Sequence, residues 1–201
     1  MTSKIHKTAI INSSAEIGEN VIIGPYSIIH ENVKIGDFTK IDSHCVIHPN
    51  TEIGNNNSIH DHVIIGANPQ DLKFDTNLNT YVKILDNNII REYVSVHRST
   101  EEGKPTKIFC NTMIMANSHI GHDCIIGDNV IITNATLLAG KVMIEEYAVL
   151  GGNTLVHQHV RIGKLSMVSG GARLSKDVIP YMLIGRDLSL IHISEPTRLA
   201  I

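Results

Sequence analysis

The stretch "AEIGENVIIGPYSIIHENVKIGDFTKIDSHCVIHPNTEIG", residues 15–54, decides how the chain is read. Stepping by six from Ile17 meets Ile23, Ile29, Ile35, Ile41, Ile47 and Ile53. Extended both ways, the frame runs without a miss from Ile5 to Ile65. A second run opens at Ile84, Ile90 and Val96, resumes at Ile108 and continues every sixth residue to Leu174. Four positions after most of these stands a small or β-branched residue, such as Val21, Ser27, Thr39, Cys45, Thr112 or Cys124, and Gly often follows the aliphatic one.

A period of six matches neither the α-helix nor the heptad. It matches a short strand followed by a turn, the signature of a parallel β-helix. Three hexapeptides make one triangular coil, so residues 18 apart stack about 4.8 Å apart on successive rungs. The aliphatic positions fill the prism, each buried Ile or Leu contributing roughly 1.5–3 kcal/mol. The expected fold is therefore all-β.

The frame breaks over 66–83, "GANPQDLKFDTNLNTYVK", and is irregular over 98–107, "RSTEEGKPTK". Pro, Asn and Asp mark both as excursions from the coil, and loops on a rigid scaffold commonly carry function.

Composition narrows the classes. With 42% hydrophobic and only 4% aromatic residues, the core is aliphatic. A net charge of -3 gives no electrostatic case for nucleic acid. No apolar run approaches the roughly 20 residues of a membrane span, and "MTSKIHKTAI" lacks a signal-peptide core. Three cysteines, Cys45, Cys110 and Cys124, suit a reducing compartment better than a disulfide framework. A cytoplasmic protein is expected.

"NSHIGHDC", 117–124, concentrates chemistry. The six-residue frame runs through it, so a helix reading fails. Ile120 and Cys124 point inward, and Cys124 reads as a small core residue. His122 and Asp123 fall at the turn. Adding 18 to His122 gives Gly140, and adding 36 gives Gln158 beside His157. One prism edge should thus carry a histidine, a backbone without a side chain, and further polar groups. The twelve histidines, His44, His48, His60 and His62 among them, leave a metal reading open, because trimeric β-helix carbonic anhydrases bind zinc between subunits. Many of them sit at outward turns, where a solvated histidine is ordinary.

"NPQDLKF", "IIREYVSVHRST", "NSHIGHDCIIGDNV", "TLLAGKV" and "LGGNTLVHQHVRIG", in that order, resemble the acyl-[acyl-carrier-protein]–UDP-N-acetylglucosamine O-acyltransferases, which open lipid A biosynthesis. The resemblance runs from about residue 4 to about residue 186. It implies a left-handed coil, against the usual crossover rule, and a homotrimer with clefts between prisms. It also implies transfer of a 3-hydroxyacyl group from acyl carrier protein to the 3-hydroxyl of UDP-N-acetylglucosamine, with no cofactor and no metal. On it, His122 is the general base, Asp123 orients that base or stabilises its cation, and the Gly140 N–H receives the oxyanion. His119, His157 and Gln158 bind substrate. Asp71 and Lys73 reach the sugar nucleotide across a subunit interface, Gln70 shapes their loop, and Gly170 limits acyl length.

Three features depart from that family. Lys141 stands where histidine is usual, stacked over Asp123 and within reach of pairing with it or of offering a cation to phosphate. His159 replaces an aromatic residue. After "DVIPYMLIGRD" the family continues into a helical domain, whereas this chain reads "LSLIHISEPTRLAI", of which Leu188 to Arg198 resembles a translated sequencing adapter. The expected organisation is one β-helix domain over 1–187 and a non-native tail over 188–201. Three rival readings remain: a related hexapeptide N-acyltransferase, which normally carries an N-terminal uridine-binding domain, a carbonic-anhydrase-like or metal-dependent hexapeptide protein, and a non-catalytic β-helix scaffold.

Overall fold

A computed structural model describes residues 3–185 and the backbone of Leu190–His192. Each hexapeptide forms a two-residue strand and a turn, and the described strands assemble into three sheets of eleven, nine and eight strands, here faces A, B and C, parallel throughout except for the last strand of face A. The protein is a parallel β-helix, with no α-helix among the described residues. Register confirms the 18-residue rung: on face A, Lys4 pairs with Ile22, Ile22 with Lys40 and Lys40 with Ser58.

The aliphatic column from Ile23 to Leu174 is buried along its whole length, while Ile5, at the open end of the prism, is 48% exposed. The second inward column, including Val21, Cys45, Thr112 and Cys124, is buried beside it. At nearly every corner the second turn residue is left-handed, from Asn20 at φ 56° to His159 at φ 65°. Asn and Asp enter that region readily, which explains the many asparagines spaced by six.

The excursions are shorter than the sequence suggests. The first lies between strands Ile64–Ala67 and Tyr81–Ile84, the second between Ser95–His97 and Pro105–Ile108. Tyr81, Val82 and Lys83 pair with Pro105, Thr106 and Lys107, so the feet of the two loops zip into longer strands. The expected boundaries 66–83 and 98–107 therefore include strand residues whose outward polar side chains resemble loop. Both excursions leave face B and return on face C. They occupy the same prism edge as the His122 turn, on the two preceding rungs. They lengthen the register from 18 to 31 residues (Ser58 to Ile89) and then to 24 (Ile89 to Met113).

Leu190–His192 run antiparallel to Met182–Ile184. The remainder of the expected tail over 188–201 lies outside the described residues.

Candidate active site

The strand His119–Ile120 delivers Ile120 to the core and His119 to the outer surface of face B. Ser95, one rung below, places its Oγ 2.8 Å from His119 Nδ1. His97 packs edge-on against His119, with ring centroids 4.6 Å apart. Burial first, then the neighbouring histidines His119, His122 and His48, push His97 down to about 4. Burial also lowers His119, with His122 adding to it.

The turn after Ile120 presents His122, whose side chain is 13% exposed. Asp123 follows at φ 60°. His122 Nδ1 lies 2.6 Å from Asp123 Oδ2. The other contacts to the carboxylate come from the second excursion. Ser99 donates its hydroxyl to Oδ1, the Thr100 N–H reaches Oδ1 at 2.8 Å, and the Thr100 hydroxyl reaches Oδ2 at 2.7 Å. Burial by itself would raise the Asp123 carboxyl, but the hydrogen bonds from His122, Ser99 and Thr100 outweigh it and hold the group at about 2.

One rung further, Gly140 lies against the His122 imidazole. A Cβ at Gly140 would overlap the ring, ending 2.9 Å from Nδ1 and closer still to Nε2 and Cε1. Glycine is required here for close approach rather than for backbone freedom. At some of the equivalent turns the residue one rung on caps this N–H, as Asp128 Oδ1 does for Cys110 at 2.8 Å. Above Gly140 that residue is Gln158, and among the described residues no acceptor is bonded to the Gly140 N–H. An unbonded donor is thus left on a residue that lines the same cleft as the imidazole.

That cleft has a volume of about 550 Å³. Six of the expected site residues line it: Gln70, His119, His122, Gly140, His157 and Gln158. Leu137 and Leu155 form an apolar floor on the outer surface of face B, leading from His119 towards Arg173. Asp123 stands behind His122. Asp71 and Lys73 sit on the exposed rim of the first excursion, outside this cleft, with the Lys73 N–H bonded to Asp71 Oδ1 at 2.9 Å. Gly170 lies outside the lining, on the opposite edge of face B, where a Cβ would come 3.1 Å from Gly152 O.

Of two further side chains near the site, Lys141 departs from expectation and Cys124 follows it. Lys141 does not pair with Asp123; its ammonium lies 3.0 Å from Glu101 Oε1, because the second excursion brings that carboxylate within reach. Cys124 is buried, its thiol donates towards Ala139 O at 3.2 Å, and burial pushes it up to about 12, as expected of a core residue rather than a nucleophile. Among the described residues, no group of three or more His, Cys, Asp or Glu stands at metal-binding spacing.

The repeat matches the family description "Bacterial transferase hexapeptide (six repeats)" over residues 32–67 and 105–140. The Syntrophobacter fumaroxidans acyl-[acyl-carrier-protein]–UDP-N-acetylglucosamine O-acyltransferase is 47% identical over 182 residues, covering 90% of this chain and 70% of that one. The chain belongs to this O-acyltransferase family. The namesake from Gloeothece citriformis is 45% identical over 119 residues, covering 59% of this chain and 43% of its own length. Among solved structures, LpxA from Acinetobacter baumannii superposes with a TM-score of 0.90 at 42% identity, over 93% of this chain and 73% of that one. The UDP-N-acetylglucosamine acyltransferase of Francisella novicida gives 0.87 at 41%, over 89% of this chain and 65% of that one. The chain therefore spans between 43% and 73% of the length of these four relatives.

Within this O-acyltransferase fold, motif reasoning missed the residues that act on others. Ser99, Thr100 and Thr106 surround Asp123, and Ser95 and His97 hold His119. Their signal was present in "SVHRST", where hydroxyls and a histidine cluster just before the frame slips. Leu137 and Leu155 were legible as outward aliphatic residues 18 apart.

Proposed function

We propose that this chain carries the catalytic β-helix, over 1–187, of an enzyme that moves a 3-hydroxyacyl group from acyl carrier protein to the 3-hydroxyl of UDP-N-acetylglucosamine, the first step of lipid A biosynthesis. The segment 188–201 lies outside that unit. The observation that carries the reading is the Asp123-backed imidazole of His122 facing Gly140 above a groove floored by Leu137 and Leu155.

The acceptor hydroxyl is a poor nucleophile until it loses its proton. Asp123, as an anion, only accepts, so His122 Nδ1 carries hydrogen and Nε2 is the free acceptor. As the hydroxyl oxygen attacks the thioester carbonyl, Nε2 takes its proton. The Gly140 N–H receives the developing oxyanion. The tetrahedral intermediate then expels the carrier-protein thiolate, and the protonated imidazole returns a proton to it. No covalent enzyme intermediate is needed, and Cys124 stays in the core.

Leu137 and Leu155 take the start of the acyl chain. Gly170 lies three rungs from the level of His122, or about 14 Å along the prism, and bounds the far end. His119, His157 and Gln158 hold the acceptor. Asp71 and Lys73, exposed on either side of the fully exposed Leu72, serve the cleft of a neighbouring subunit in a homotrimer. The outer surface of face A offers Ile89 and Met167, each 40% exposed, to such an assembly. No helix among the described residues is long and apolar enough to cross a membrane, and we place the reaction in the cytoplasm.

The test supplies 3-hydroxyacyl carrier protein with UDP-N-acetylglucosamine and follows free thiol together with the O-acylated sugar nucleotide. Both products should appear in equal amounts, insensitive to chelator. Turnover only with a sugar nucleotide that already carries one acyl chain and a free amine would select the N-acyl reading, and loss of activity on chelation the metal reading.

A further inference from the structure

We propose that the second excursion, 98–104, is a positioning clamp for the base, in which Ser99 and Thr100 fix Asp123 and through it the orientation and tautomer of His122. The inference rests on the general-base reading above and deepens it.

A carboxylate offers about four lone-pair sites. Asp123 has four donors: the Ser99 hydroxyl and Thr100 N–H on Oδ1, and the Thr100 hydroxyl and His122 Nδ1 on Oδ2. Three of the four come from one dipeptide. The Ser99 hydroxyl is itself fixed, because its oxygen accepts the Glu101 N–H at 2.9 Å. The main chain is pinned too, since the Asp123 N–H donates to Thr106 Oγ1 at 2.8 Å where the excursion rejoins the coil. A filled set leaves the carboxylate no room to swing or to take a competing water. Only one His122 tautomer then fits, with Nδ1 protonated and Nε2 turned to the substrate.

The excursion also has a geometric reason to exist. An uninterrupted rung stacks one turn residue below Asp123, and a single side chain cannot approach both carboxylate oxygens from the loop side. Here the register between Ser95 and His119 is 24 residues rather than 18. The added length lets the chain rise to the level of Asp123. Glu101 ties the loop upward through Lys141 at 3.0 Å and along itself through Lys104 at 2.8 Å. Ser99 is buried although it belongs to a loop.

The experiment compares Ser99→Ala, Thr100→Val and Thr100→Ser in the active enzyme. It measures kcat and KM, and the ¹⁵N shifts of the His122 ring, assigned by difference with His122→Gln. Each charge-assisted donor lost should lower kcat on the order of 10- to 100-fold, with KM changed by less than about two-fold. The ring signal should pass from a single Nδ1–H tautomer to a mixture. Thr100→Ser, which keeps the hydroxyl, should restore both readouts. In an Asp123→Asn background the clamp substitutions should add little, because they act through that residue. Wild-type kcat and an unchanged tautomer in Ser99→Ala and Thr100→Val would overturn the clamp while leaving the base in place. Failure of Thr100→Ser to restore would overturn it also, by showing that only loop packing matters. Retained turnover in His122→Ala would instead remove the base reading, and the clamp with it.

Discussion

The His122 imidazole occupies the space that a side chain on Gly140, one rung above, would fill: a Cβ there would end 2.9 Å from Nδ1. Gly140→Ala should therefore displace the base and disturb the oxyanion donor together. Loss of one such donor typically costs about 10²–10³-fold in kcat, and the substitution should fall in or beyond that range. Because the turn lies at a prism edge and Gly140 has no left-handed φ, the melting temperature should change little. Steady-state kinetics beside a thermal melt checks both parts.

Stability should depend on pH through His97. Burial and the nearby histidines take it from the usual 6.5 to about 4. Between those values the unfolded chain binds a proton that the folded chain refuses, so stability falls as pH falls from about 6.5 and levels off below about 4. The upper limit is about 3 kcal/mol. Asp123 acts lower: held at about 2 rather than 3.8, it adds stability above the higher value that is lost as pH falls through the lower one. Urea unfolding at pH 7 and pH 5 should show the His97 component, and His97→Gln should flatten it.

A larger residue at Gly170 should shorten the preferred acyl chain. The position is exposed, and a Cβ would meet only Gly152 O at 3.1 Å and Gly152 N at 3.6 Å, so a side chain can project outward without unfolding the edge. Gly170→Met, assayed on carrier proteins loaded with a series of chain lengths, should move the optimum to shorter chains. An unchanged optimum would place the limit of the groove elsewhere.

Leu72 is fully exposed at the tip of the first excursion, between Asp71 and Lys73. If that tip seats in a neighbouring subunit, Leu72→Asp should weaken the trimer and raise KM for the sugar nucleotide. Light scattering across a dilution series measures the first effect. A monomer in the parent chain at micromolar concentration would contradict the assembly.

Much of this architecture is written locally. An inward Ile every six residues, with a small residue four later, states strand, turn and rung without any distant information. The same arithmetic brought His122 to Gly140 and to Gln158, because stacking by 18 is fixed by three strands per coil. Where the chain leaves the coil, that arithmetic stops. Nothing in the period tells how far 98–104 climbs, so the contacts of Ser99 and Thr100 with Asp123 were hidden, and so was the diversion of Lys141 to Glu101. Excursion boundaries blurred for a related reason: Tyr81–Lys83 carry outward polar groups in a strand and read as loop. The hand of the coil is not encoded in a six-residue period at all. Gly170 differs again, since its proposed role concerns the end of a bound chain rather than a contact within the fold.

The central claim is that His122 removes the proton from the acceptor hydroxyl, and one substitution addresses it most directly. His122→Ala should be measured for transfer from 3-hydroxyacyl carrier protein to UDP-N-acetylglucosamine, with a thermal melt to show that the β-helix is intact. A positioned base contributes about 10²–10⁴-fold, roughly 3–5 kcal/mol of barrier. The predicted result is a fall in kcat of that size in a folded protein, unaffected by chelator. Near-normal turnover in His122→Ala would contradict the account.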